Sequence, residues 1–121
     1  MAARLSVLLV VVCLLVPSSL ARADNPRLVA TVGTNDAFVI SLRDASGALV
    51  AHLDPGTYDI AVSDRSSEHN FHLTGPGVNK RTGIVFRGRV VWKLTLEPGV
   101  YTYRSDVHKK LRGVLTVTAT G

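Results

Sequence analysis

Leu53-Asp54-Pro55-Gly56-Thr57-Tyr58 and Leu96-Glu97-Pro98-Gly99-Val100-Tyr101 both read L-x-P-G-x-Y. In each, Pro-Gly turns the chain, and the tyrosine just beyond can return its hydroxyl to backbone near the turn, as at the corner of a Greek-key sandwich. Each copy leads into a period-2 run. Tyr58, Ile60 and Val62 alternate with Asp59, Ala61 and Ser63, and Tyr101 and Tyr103 alternate with Thr102 and Arg104. Working outward, the same period recurs in Leu28/Ala30/Val32, Phe38/Ile40/Leu42, Trp92/Leu94/Leu96 and Leu115/Val117. Asn35-Asp36, Ser46-Gly47, Gly75-Pro76-Gly77 and Arg87-Gly88 punctuate these runs. No stretch after residue 23 sustains a helical period. The pattern predicts an all-β Greek-key β-sandwich of seven to eight strands in antiparallel sheets packed face to face. Matching between the two copies stops at the corner, so the sequence is not a tandem repeat.

The chain has 121 residues, enough for one domain, and 46% hydrophobic residues exclude a disordered one. Its single cysteine excludes a disulfide framework or a multi-thiolate metal site. Residues 1–23 read as a cleaved signal peptide: Arg4 opens it, an apolar run spans residues 5–16, and Ala21-Arg22-Ala23 offers the small-x-small cleavage pattern. That run falls short of the roughly 20 residues a spanning helix needs. The expected product is one domain, residues 24–121, exported to the periplasm or outside the cell, with no transmembrane anchor after cleavage. Without Arg4 and Arg22, 12 of the 14 basic residues remain against 9 acidic ones, a net charge of +3. So mild an excess does not call for nucleic acid.

Four histidines remain. In His69-Asn70-Phe71-His72-Leu73 alternation sends His69, Phe71 and Leu73 inward and His72 to solvent. Tyr101, Tyr103 and Ser105 likewise share the inward face, with His108 in the loop beyond. His52 reads as exposed. Ser67-Glu68-His69-Asn70-Phe71, then Tyr101-Thr102-Tyr103-Arg104-Ser105-Asp106-Val107-His108, then Gly113-Val114-Leu115-Thr116-Val117 resemble the cupredoxins, the plastocyanin- and azurin-like blue copper proteins. The resemblance covers essentially all of residues 24–121. It implies that His69 and His108 stand at two copper-ligand positions and that Asn70 bridges to the ligand loop. It also implies that Ser105 stands where the ligand cysteine belongs and Leu111 roughly where the methionine belongs, in a loop about a residue shorter than usual.

The missing sulfur changes the chemistry. A blue copper centre needs a thiolate, and a serine hydroxyl is a hard, barely acidic substitute. Met1 is the sole methionine and Cys13 the sole cysteine. Two readings follow. Either the protein holds Cu(II) through His69 and His108 without acting as a blue-copper electron carrier, or it is a metal-free binding or structural module with copper and every other cofactor absent. Lys80, Arg81, Arg87, Arg89, Lys109, Lys110 and Arg112 would favour an acidic protein partner or an anionic cell-envelope surface. The partner is unidentified and the chain is read as a monomer. It is not read as an enzyme: Ser105 and His108 have no separate orienting carboxylate, and no G-x-S-x-G turn accompanies them.

Overall fold

The computed structural model describes residues 24–120; the expected leader, residues 1–23, and Gly121 lie outside the described residues. The strands are β1 (Arg27–Val32), β2 (Ile40–Asp44), β3 (His52–Leu53), β4 (Gly56–Asp64), β5 (His72–Gly75), β6 (Val78–Arg81), β7 (Gly88–Leu96), β8 (Gly99–Arg104) and β9 (Arg112–Val117). They form two sheets, ordered β2-β1-β4-β7 and β3-β9-β8-β5-β6. The all-β sandwich expected from periodicity is the observed architecture. It has one more strand than counted, because the two residues of β3 add to the edge of β9. The sheets are also not purely antiparallel: β1 pairs β4, and β3 pairs β9, in parallel. Period-2 patterning reports which face is buried and is blind to strand direction.

Alternation places the core. Leu28, Ala30 and Val32 meet Tyr58, Ile60 and Val62 on one sheet, and Leu73, Tyr101, Leu115 and Val117 face them from the other. Phe71 stacks on Tyr103, ring centroids 5.5 Å apart, and tilts against Trp92 at 6.2 Å. Both corners form. The Tyr58 hydroxyl donates to the Asp54 carbonyl at 2.6 Å. The Tyr101 hydroxyl reaches the Pro76 and Glu97 carbonyls at 3.0 and 3.1 Å and accepts the Glu97 N–H at 2.9 Å. Gly99 is required at its corner: φ is +149°, and a Cβ there would sit 2.6 Å from Pro76 Cγ.

Two inferences from alternation fail locally. Phe38 is 65% exposed, not inward, because the strand begins only at Ile40. Asn35 and Asp36 adopt positive φ in a short 3₁₀ turn, Thr34–Asp36, and the chain leaves it off the sheet. His72 is buried, not solvated: Asn79 of β6 and Asp106 of the β8–β9 loop cover it. His52 is exposed as expected, beside the Thr118 hydroxyl at 2.9 Å. Among the described residues no helix is long and apolar enough to cross a membrane.

Candidate metal centre

His69 lies in the loop leading into β5, and His108 in the loop leaving β8. Since β5 and β8 are neighbours with His72 opposite Arg104, both loops emerge at the same end of the sandwich. The two imidazoles meet there with ring centroids 4.9 Å apart and planes inclined at 61°. His69 is fully buried; His108 is partly exposed. The Ser105 Oγ lies 3.4 Å from His69 Nδ1 and accepts the His108 backbone N–H at 3.4 Å, both contacts at the long limit of hydrogen bonding. His69 Nε2 has no hydrogen-bond partner. A buried imidazole so weakly held is unusual, since burial without a partner costs about 1–3 kcal/mol.

The frame around the pair is tightly bonded. Asn70, itself buried, donates through Nδ2 to Asp106 Oδ2 at 2.8 Å and to the Thr82 carbonyl at 3.1 Å, while its Oδ1 accepts the Asp106 N–H at 2.8 Å. One amide thereby ties three loops. The His108 loop closes on itself as Ser105 N–H donates to the Leu111 carbonyl (3.0 Å) and Leu111 N–H to the His108 carbonyl (2.8 Å). Leu111 packs against the apolar core. It supplies bulk at its position and no donor atom.

Three further residues belong to this end, of which Asp64 and Phe38 carry no signal in motif. Asp106 lies within the motif around His108 as a possible oxygen ligand, and the structure turns it to His72, Asn70 and Arg104 instead. Asp106 bonds His72 Nδ1 at 2.7 Å and Arg104 Nε at 3.4 Å besides Asn70. Burial pushes its carboxyl up, but the hydrogen bonds from His72 and Asn70, the facing His72 charge and Arg104 together hold it at about 2. Asp64, almost wholly buried, accepts from the Thr82 hydroxyl at 2.8 Å; burial raises its carboxyl despite that bond. Phe38 presses edge-on against both imidazoles, 5.0 Å from His69 and 4.7 Å from His108. The adjacent hollow, about 490 Å³, is bordered by Phe38, His108, Lys109 and Lys110. An aromatic residue straddling two histidines from a distant turn is a tertiary juxtaposition, invisible to local pattern.

The donor set at this end is therefore two imidazoles and one hydroxyl. Among the described residues there is no cysteine or methionine, and no three His, Cys, Asp or Glu side chains converge on one point. The set does not fit a blue copper centre, which requires sulfur.

No protein-family model matches the chain, and no curated protein does. Solved structures do. Rusticyanin from Thiobacillus ferrooxidans matches with TM-score 0.52 at 18% identity, over 76% of each chain. A rusticyanin variant matches with TM-score 0.55 at 16% identity over the same shares, and reduced rusticyanin with TM-score 0.55 at 14% identity, over 76% of this chain and 78% of that one. Rusticyanin is described as a copper protein. At such identities the likeness establishes the fold: this chain is a cupredoxin-fold β-sandwich.

Proposed function

We propose that this is an exported protein that holds Cu(II) through His69 and His108, with Ser105 or water completing a hard N/O set, and that it does not shuttle electrons as a blue copper protein does. The observation that carries this reading is His69, a fully buried imidazole whose Nδ1 has only a 3.4 Å contact to the Ser105 hydroxyl and whose ring lies 4.9 Å from that of His108. Centroids 4.9 Å apart leave both rings within reach of one ion at bonds of about 2 Å. Two imidazoles with oxygen donors suit Cu(II) in a tetragonal field, whereas Cu(I) prefers the sulfur this domain lacks. Asn70 and Asp106 position the His108 loop, and Leu111 packs against the core beside it. Lys109, Lys110 and Arg112 set a positive rim that weakens cation affinity.

Calorimetric titration of Cu(II) into the purified protein tests this. The expected result is one saturable site lost in both His69→Ala and His108→Ala, with nitrogen coupling from two imidazoles in electron paramagnetic resonance. An intense thiolate-type blue absorption, or reversible one-electron cycling at an electrode, would refute it. The Phe38 ring favours a second reading, because it completes a three-ring aromatic cluster that needs no metal. Absence of copper binding at micromolar concentrations selects that reading, a metal-free cupredoxin-fold module.

A further inference from the structure

The outward face of the β2-β1-β4-β7 sheet has a surface chemistry of its own, away from the histidines. Register aligns its outward residues in rows: Ser41–Thr31–Ser63–Arg89, Arg43–Val29–Ala61–Val91 and, on β1, β4 and β7, Arg27–Asp59–Lys93. Successive rows lie about 7 Å apart and strands about 4.8 Å apart. On β1, β4 and β7 the middle row is small and apolar, with Val91 62% exposed, and Arg43 of β2 stands at its far end. Cations stand on both sides of it. Arg65, just past β4, and Arg87, just before β7, add to Arg89 at the upper end. Two adjoining hollows run across this surface, about 330 Å³ over the apolar row and about 520 Å³ among Asn35, Arg65, Arg87 and Arg89; they share Ser63, Arg65 and Arg89.

Among the described residues, none of Arg27, Arg65, Arg87 and Arg89 is in an ion pair; the only pairs are those of Asp106 with His72 and Arg104. Arg65 Nε donates only to Ser63 Oγ, at 3.3 Å. The carboxylates nearby are disposed unevenly. Asp24 and Asp59 lie by Arg27, with Asp59 accepting from Asn25. At the upper end Asp64 is buried and turned to Thr82 and the Ser66 N–H, with Arg87 near enough to favour its charged form. Three arginine side chains there are thus left to solvent.

We propose that this face docks an extended acidic segment of a partner protein, its carboxylates on Arg65, Arg87 and Arg89 and a small apolar side chain over Val29, Ala61 and Val91. Guanidinium forks match carboxylates in a bidentate way that lysine cannot. Same-side residues of an extended chain are about 7 Å apart, which matches the row spacing, so a carboxylate over the Arg89 row puts its next same-side neighbour over the valines. A membrane fits less well. The apolar row is narrow and flanked by long arginines, and it consists of two valines and an alanine, with no leucine or aromatic ring to enter a lipid surface. This docking depends on no metal at the histidine end.

A fluorescein-labelled peptide, Glu-Thr-Val-Thr-Glu-Thr-Val-Thr-Glu, serves as probe, followed by anisotropy and by amide NMR shifts. At about 20 mM salt, where the Debye length is roughly 20 Å, binding is expected, weakening as salt reaches about 0.15 M. Shifted amides should fall on β1, β4 and β7. Combined Arg65→Glu and Arg89→Glu should weaken binding about tenfold or more, and combined Lys109→Glu and Lys110→Glu less than about twofold. Unchanged thermal melting of the arginine variant excludes unfolding as the cause. No saturable binding, equal losses in both variants, or shifts at the histidine end would overturn the proposal. So would binding to phosphatidylglycerol vesicles without binding to the peptide, which would assign the face to a membrane. Cu(II) titration of the arginine variant should match wild type, so failure of either proposal is seen separately.

Discussion

Replacing Asn70 by alanine should unfasten the end of the sandwich that carries both histidines. The substitution removes three hydrogen bonds at once: to the Thr82 carbonyl, to the Asp106 carboxylate and from the Asp106 N–H. Two are neutral, worth about 1 kcal/mol each, and the one to the carboxylate is worth about 1.5–3 kcal/mol. Buried partners are left unsatisfied, so the loss should total about 3.5–5 kcal/mol, a large part of a small domain's stability. With a urea slope of about 1.5 kcal/mol/M, the midpoint should drop by roughly 2–3 M. Amide exchange at Asp106 should accelerate, and the acid limb should move to higher pH because Asn70 helps to hold the Asp106 carboxyl low. Asn79→Ala, which removes a single contact to His72 near a sheet edge, is the control and should cost about 1 kcal/mol. A loss under about 1 kcal/mol in Asn70→Ala, or equal losses in both variants, would refute the idea that this one amide is the tie.

Four further outcomes follow from the same geometry. Asp106 is held at about 2, below its ordinary 3.8, so it stabilises the fold above about pH 4; roughly 2 kcal/mol should drain as pH falls toward 2, and Asp106→Asn should lack that slope in urea titrations across the range. Asp64 has the opposite sign: burial raises it, so the folded state binds its proton more readily, and any stability advantage of Asp64→Asn at pH 7 should shrink on acidification. Tyr101→Phe should cost about 1–2 kcal/mol in the same assay, since the buried hydroxyl serves both Glu97 and Pro76, and the core packing of the ring is retained. Ser105→Cys, loaded with copper, should show thiolate-to-copper absorption; a colourless product would mean that the short loop, and not only the missing sulfur, holds His108 off position.

The sandwich was legible because burial in it alternates with a period of two, and because two L-x-P-G-x-Y corners are local chemistry: Tyr58 and Tyr101 each return to a carbonyl four residues back. Strand direction was not legible, since Leu28, Ala30 and Val32 bury the same face whether their neighbour runs parallel or antiparallel. At the histidine end, inward placement of His69 and Ser105 followed from alternation. The covering of His72 did not, because it depends on Asn79 and Asp106 arriving from other strands. Phe38 failed for a related reason: alternation assumes a continuous strand, and positive φ at Asn35 and Asp36 takes the chain out of one two residues earlier.

The bonding at that end also explains how a cupredoxin fold can lack both soft donors and still keep two histidines together. None of the short side-chain bonds that fasten the His108 loop to its neighbours comes from a side chain at a donor position. Asn70 joins Asp106 to Thr82, Thr82 joins Asp64 to the Phe71 N–H, and Leu111 closes the loop through backbone. The Ser105 hydroxyl is carried by this frame and contributes only 3.4 Å contacts to it, while Ser105 and His108 take part in the loop closure through backbone alone. Sulfur at position 105 would matter to a bound ion's electronics and little to the loop's shape. The frame and the donor set are therefore separable, and changes at Ser105 or Leu111 can redirect the chemistry of the site while Asn70 and Asp106 keep its geometry.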